Sequence, residues 1–132
     1  METMNMNGKG QCLCGAVCFE AHDIETQVHA CHCSMCRRWN GGPAMATSVG
    51  SVTFTGEENI TRFPSSDWAE RGFCKKCGSN LFYFLKPDRY IIGAGTFDEQ
   101  PFSLEGEICC SSKPAWYDFA GDHPRHNEMP DA

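Results

Sequence analysis

Arg71-Gly72-Phe73-Cys74-Lys75-Lys76-Cys77-Gly78-Ser79-Asn80-Leu81-Phe82 is the stretch whose reading decides the fold. A C-x-x-C pair lies between apolar Phe73 and the apolar run Leu81 to Leu85, so a turn that gathers two sulfurs joins two predicted strands. Zinc binds thiolates at about 2.3 Å in a tetrahedron, and ligands from one segment must therefore lie close together. Gly78, directly after the second Cys, frees the backbone to take a positive φ and turn amide N–H groups toward the sulfurs. The other reading of C-x-x-C is a redox pair, which usually accompanies a βαβ pattern that this sequence lacks.

Outward from this stretch, period-two alternation dominates. Val17, Phe19 and Ala21 alternate with Cys18, Glu20 and His22; Ile24, Thr26, Val28 and Ala30 alternate with Glu25, Gln27 and His29. Further predicted strands are Ala44 to Val49, Ser51 to Thr55, Asn59 to Phe63, Ala69 to Phe73, Leu81 to Leu85, Tyr90 to Ala94 and Leu104 to Cys110. Gly and Pro punctuate them, 13 and 7 in number, and leave little room for long helices. Short helical pieces are expected after Cys36, or near Asp67 to Glu70 through a weak Asp-x-x-Glu cap. The fold class expected is mainly β: one zinc-stabilised domain over residues 1–132, built of many short strands, with its core over roughly 8–125. The polar stretch Gly121 to Ala132 reads as a loosely held tail.

With 132 residues the chain is sized for a single domain. Eleven Lys and Arg against 17 Asp and Glu give a formal charge of −6, which argues against nucleic acid as a partner. Met1 to Gln11 has no apolar stretch to serve as the core of a secretory signal, and Leu81 to Leu85 is too short to cross a bilayer. The expectation is a cytoplasmic protein without a membrane partner, where thiols stay reduced.

In that setting ten Cys point to metal. Seven fall in tight clusters: Cys12-x-Cys14, Cys31-x-Cys33-x-x-Cys36 and Cys74-x-x-Cys77. A closed structural zinc site takes four protein ligands, and a catalytic one takes three and keeps a position open. The natural partition joins Cys12 and Cys14 to Cys74 and Cys77, tying distant segments so that metal binding contributes to folding. Cys31, Cys33 and Cys36 then form a three-thiolate site. The rival partition closes the second site with His32 or Cys18. His32, wedged between two ligands, is otherwise a substrate-side or ligand-supporting candidate. Arg37 and Arg38 follow the cluster directly, where a cation lowers thiol pKa and a guanidinium can clamp a substrate carboxylate; either can equally be solvated or paired structurally. Cys109 and Cys110, in a predicted strand, should face opposite sides, one buried and one open to reaction. The aromatics, Trp116 and Tyr117 included, read first as core.

Gln11-Cys12-Leu13-Cys14-Gly15-Ala16-Val17, Cys31-His32-Cys33-Ser34-Met35-Cys36-Arg37-Arg38 and the Arg71 to Phe82 stretch resemble the glutathione-dependent formaldehyde-activating (GFA) family, to whose group the centromere protein V family belongs. Ile91-Ile92-Gly93-Ala94-Gly95-Thr96-Phe97-Asp98 and Ser112-Lys113-Pro114-Ala115-Trp116-Tyr117 are similar to its later signatures, so the resemblance spans roughly Gly8 to Arg125. It implies a mostly β fold like methionine-sulfoxide reductase B. It also implies a structural zinc on Cys12, Cys14, Cys74 and Cys77 and a catalytic zinc on Cys31, Cys33 and Cys36, two Zn²⁺ per chain. The implied activity is that of a carbon–sulfur lyase, S-(hydroxymethyl)glutathione synthase, whose partners are glutathione and formaldehyde. Glu107 departs from the pattern, since relatives often place His there. The competing function is a zinc-stabilised binding or chaperone module with two structural metals and no catalysis.

Overall fold

A computed structural model describes residues 6–128. Ten short strands carry the chain. They are β1 (Gly8–Gln11), β2 (Cys18–His22), β3 (Gln27–Cys31), β4 (Ala44–Ser48), β5 (Ser51–Thr55), β6 (Ile60–Phe63), β7 (Ala69–Cys74), β8 (Asn80–Leu85), β9 (Arg89–Gly93) and β10 (Ser103–Ile108). One α-helix, α1 (Ser34–Asn40), interrupts them between β3 and β4. The strands form a three-stranded sheet in the order β1-β2-β5 and a seven-stranded sheet in the order β10-β3-β4-β9-β8-β7-β6. Pairing is antiparallel except between β10 and β3, which run parallel.

The core lies between the sheets, where alternation places it. Phe19 and Ala21 of β2 are buried and Glu20 between them is exposed. Phe54 of β5 meets Phe82 of β8 at 5.3 Å and Tyr90 of β9 at 5.7 Å between ring centroids, and Phe19 meets Phe97 edge-on at 5.1 Å. Leu81, Phe82 and Ile92 are almost wholly buried, and Cys12 and Cys74 belong to the same cluster. Gly72 of β7 faces the Phe82 ring so closely that a Cβ there would lie 2.2 Å from it.

The mainly β architecture of many short strands is as expected, with instructive differences. β1 reads as Gly-Lys-Gly-Gln, without a strand-forming side chain, yet Gly10 pairs with Phe19. A Cβ at Gly10 would sit 2.3 Å from the Thr96 carbonyl and 2.4 Å from the Phe19 ring, so glycine here permits close packing rather than a turn. Between Ile24 and Ala30 only Gln27 onward is strand. No helix forms at Asp67 to Glu70; Ala69 and Glu70 open β7 and pair with Leu85 and Phe84. The long pairing with β8 overrides a weak local cap. The helix expected after Cys36 begins earlier, at Ser34, because the Cys33 side chain accepts a hydrogen bond from the Cys36 N–H and caps it. It stops at Gly41, in the left-handed region at φ 73°.

β10 ends at Ile108, short of Cys109 and Cys110. Cys109 adopts φ 56°, which breaks the strand and removes the expected alternation; both thiols are half-buried. Trp116, read as core, is 79% exposed. The tail expected from Gly121 is tied down over its described part. The Glu107 N–H donates to the Pro124 carbonyl, the His126 N–H to the Glu107 carbonyl and the Cys110 N–H to the His126 carbonyl. Side-chain bonds to Glu107, absent from any local pattern, complete this attachment. Residues 129–132 lie outside the described residues.

Candidate metal centres

Two of the sequence clusters converge. Cys12 follows β1 in a tight turn, in which the Gly15 N–H donates to the Cys12 carbonyl (3.2 Å) with Gly15 at φ 81°. Cys74 ends β7 and starts a second turn, closed by the Gly78 N–H to the Cys74 carbonyl (2.8 Å) with Gly78 at φ 79°. These turns bring the ligand atoms of Cys12, Cys14, Cys74 and Cys77 within 4.8 Å of one another. Cys12 and Cys14 sulfurs are 3.7 Å apart and Cys14 and Cys74 sulfurs 3.8 Å. A tetrahedron with metal–sulfur bonds of about 2.3 Å has an edge of about 3.8 Å, so the spacing fits a closed tetrathiolate. Backbone N–H groups of Val17 and Lys76 donate to the Cys12 and Cys74 sulfurs at 3.3 and 3.4 Å, which supports negative sulfur. The Ser79 hydroxyl beside Cys77 holds that thiol down to about 5.

Cys31, Cys33 and Cys36 also converge, with ligand atoms within 4.8 Å. β3 delivers Cys31, held in register against Ile108 of β10 and Ala44 of β4. The turn into α1 delivers Cys33, and the first turn of the helix delivers Cys36. The Cys31 thiol hydrogen bond, the Cys33 sulfur and the Arg71 charge together lower the Cys36 thiol to about 5. The same sharing pushes the Cys31 thiol upward. Such a set holds its last proton until a thiophilic cation takes its place.

Arg71 is the functional candidate that sequence reasoning missed. It is 5% exposed on β7, and its two terminal nitrogens lie 3.9 and 4.0 Å from the Cys36 sulfur. The sign available in the sequence was an Arg two residues after Ala69 in a predicted strand, on the same side of it as that buried residue. Arg37 is half-buried with an unpartnered Nε, and Arg38 is exposed.

His32 is fully buried and turned from the sulfurs. Its Nε2 lies 2.7 Å from Glu107 Oε1 and its Nδ1 2.7 Å from the Tyr117 hydroxyl, so both ring nitrogens are occupied. Glu107, the position of departure, is 1% exposed and meets three donors: His32, His123 Nε2 (2.5 Å) and Arg125 Nε (3.1 Å). Burial pushes its carboxyl up, but hydrogen bonds from His123 and His32 and the Arg125 charge outweigh that and hold it below the ordinary value. His32, Glu107 and Cys110 also present donor atoms within 4.8 Å of one another, although Arg125 already balances the carboxylate. Cys18 is half-buried on β2, its thiol directed to the Gly15 carbonyl at 3.5 Å.

A mainly β domain with one four-sulfur and one three-sulfur cluster defines a class of cysteine-rich proteins able to hold metal ions. The family described as glutathione-dependent formaldehyde-activating enzyme matches residues 7–112, and the chain belongs to that family. A protein of Schizosaccharomyces pombe named as an uncharacterized lyase is 36% identical over 116 residues, covering 85% of each chain. A crystal structure of a Rhodobacter sphaeroides protein is similar with a TM-score of 0.58 and 28% identity, covering 68% of this chain and 87% of that one.

Proposed function

We propose that this chain is a zinc-dependent carbon–sulfur lyase acting on the adduct of a small thiol and an aldehyde, with glutathione and formaldehyde the first candidates. One observation carries the reading: the Cys31, Cys33 and Cys36 sulfurs converge within 4.8 Å, while His32 spends both ring nitrogens on Glu107 and Tyr117, and Cys109, whose thiol reaches Cys31, stands outside that mutually close set. Cys12, Cys14, Cys74 and Cys77 would hold a structural zinc, and Cys31, Cys33 and Cys36 a catalytic one. Zinc in a three-ligand site supplies an open position for a thiolate and Lewis acidity toward a carbonyl oxygen.

The protein's own part is to hold and orient. Glu107 and Tyr117 clamp the His32 ring from both sides, which fixes the backbone between Cys31 and Cys33. The Cys33 cap fixes the start of α1 and so the direction of Cys36. Arg37 and Arg38, next to the cluster in the chain, suit the carboxylates of a peptide-like thiol. In the synthetic direction a sulfur–carbon bond forms as the carbonyl π bond breaks, and the thiol proton ends on the new hydroxyl oxygen. A compartment that keeps thiols reduced, the cytoplasm, suits both clusters.

The test is the rate of S-(hydroxymethyl)glutathione formation, followed by exchange spectroscopy against the spontaneous reaction. Zinc-loaded protein should accelerate it and Cys36→Ser should not. Failure of the fully loaded protein to exceed the spontaneous rate favours the binding module instead.

A further inference from the structure

We propose that Arg71 is the built-in counter-cation of the three-cysteine site and sets its preference for an anionic fourth ligand; this deepens the function proposed above and rests on it. A nearly buried guanidinium needs a compensating charge or polarisable neighbours. Two other arginines on the fold find carboxylates: Arg62 meets Glu70 at 3.6 Å and Arg125 meets Glu107 at 3.1 Å. Among the described residues Arg71 has no carboxylate within salt-bridge distance. Its guanidinium carbon lies 5.1 Å from the Trp39 ring centroid and 4.9 Å from that of Tyr83, and the anion within its reach is the Cys36 sulfur. Trp39 belongs to α1, the helix that carries Cys36, so the stack also fixes the cation against the site.

The charge balance gives this placement a consequence. A divalent ion on three thiolates leaves one net negative charge, which Arg71 cancels. A thiolate arriving as fourth ligand then meets a neutral site instead of an anionic one. The four-cysteine cluster is built differently. Among the described residues its sulfurs take N–H and O–H contacts from Val17, Lys76 and Ser79, with no guanidinium or ammonium within hydrogen-bond distance. Lys75 and Lys76, the basic residues of that turn, are exposed. The buried cation is therefore confined to the cluster whose mutually close set holds three sulfurs, with the Cys109 thiol beside Cys31 but outside it. Arg71 acts through this charge on what binds beside Cys36; it is a positioning residue.

The test uses the full chain loaded with cobalt(II), whose visible bands report the fourth ligand, titrated with 2-mercaptoethanol as an anionic ligand and imidazole as a neutral one. Mercaptoethanol carries no carboxylate, so the reading is independent of whether glutathione is the physiological thiol. Arg71→Met should weaken mercaptoethanol by about tenfold or more while imidazole changes by less than about threefold. Arg71→Lys, which keeps the charge and loses the planar stack, should restore mercaptoethanol binding to within about threefold of the parent. Tyr83→Glu leaves Arg71 in place and gives it a carboxylate partner, so it should weaken mercaptoethanol in the same direction and serves if Arg71→Met does not fold. Equal weakening of both ligands by Arg71→Met, or unchanged mercaptoethanol affinity in either neutralised variant, overturns the proposal and leaves the open site intact. A parent protein whose cobalt bands respond to neither ligand overturns the open site as well.

Discussion

Replacing Glu107 by Gln changes one atom at the most heavily bonded buried side chain of the fold. The carboxylate is 1% exposed and is reached by His32 at 2.7 Å, His123 at 2.5 Å and Arg125 at 3.1 Å. Gln keeps the shape and one acceptor oxygen, but its amide presents donors to donors and leaves Arg125 and one imidazole without an anion. Breaking a buried charge pair from one side costs about 3–5 kcal/mol. Arg125 is partly exposed, so the lower end, about 3 kcal/mol, is expected at pH 7 with zinc in excess. Urea unfolding measures this directly, with the slope unchanged and the midpoint lowered. The sign with pH follows from the depressed carboxyl. Its stabilisation is fully present above the ordinary value of 4.5 and is lost as pH falls through the lower folded value, so the gap between parent and variant narrows in acid. A loss under about 1 kcal/mol at pH 7, or a gap that widens in acid, refutes the view of Glu107 as a charged anchor for the Cys31 to Cys33 turn and the 123–126 segment.

The remaining expectations concern the metals and the core. Cys77→Ser should lose soluble folded protein because it opens the tie between the Cys12 turn and the Cys74 turn, whereas Cys36→Ser should stay folded and lose one metal equivalent by elemental analysis. Equal unfolding of both variants removes the distinction between a closed and an open site. Gly72→Ala should lower the melting temperature through a cost of about 1–3 kcal/mol, because its Cβ would meet the buried Phe82 ring at 2.2 Å; an unchanged melting temperature contradicts that packing.

Much of the fold was legible where one face of a strand is buried. Alternation located β2 and β5, whose Phe19 and Phe54 face the core while Glu20 and Thr53 do not, and the apolar run Leu81 to Leu85 located β8, where Leu81 and Phe82 are both buried. Cysteine spacing located both clusters, since a tetrahedron restricts which sulfurs can share an ion and the structure gathers those same seven residues. What escaped depends on partners distant in the chain. β1 is a strand because Gly10 lets Phe19 and Thr96 approach, and isolated glycine reads as a turn. Glu107 is an anchor because residues 123–125 fold back onto it, and no local pattern records that return. Arg71 looks like an ordinary charge until α1 lays Trp39 and Cys36 against it.

The central claim is that Cys31, Cys33 and Cys36 leave a metal position for a thiolate, and calorimetry on the zinc-loaded protein tests it most directly. Glutathione and S-methylglutathione differ in whether the sulfur can become anionic, so the comparison isolates that one bond. In buffers of different ionisation enthalpy, glutathione should bind more tightly and release a proton, and Cys33→Ser should abolish the difference. Equal affinity for the two ligands, or binding of glutathione without proton release, would contradict a thiolate-accepting site.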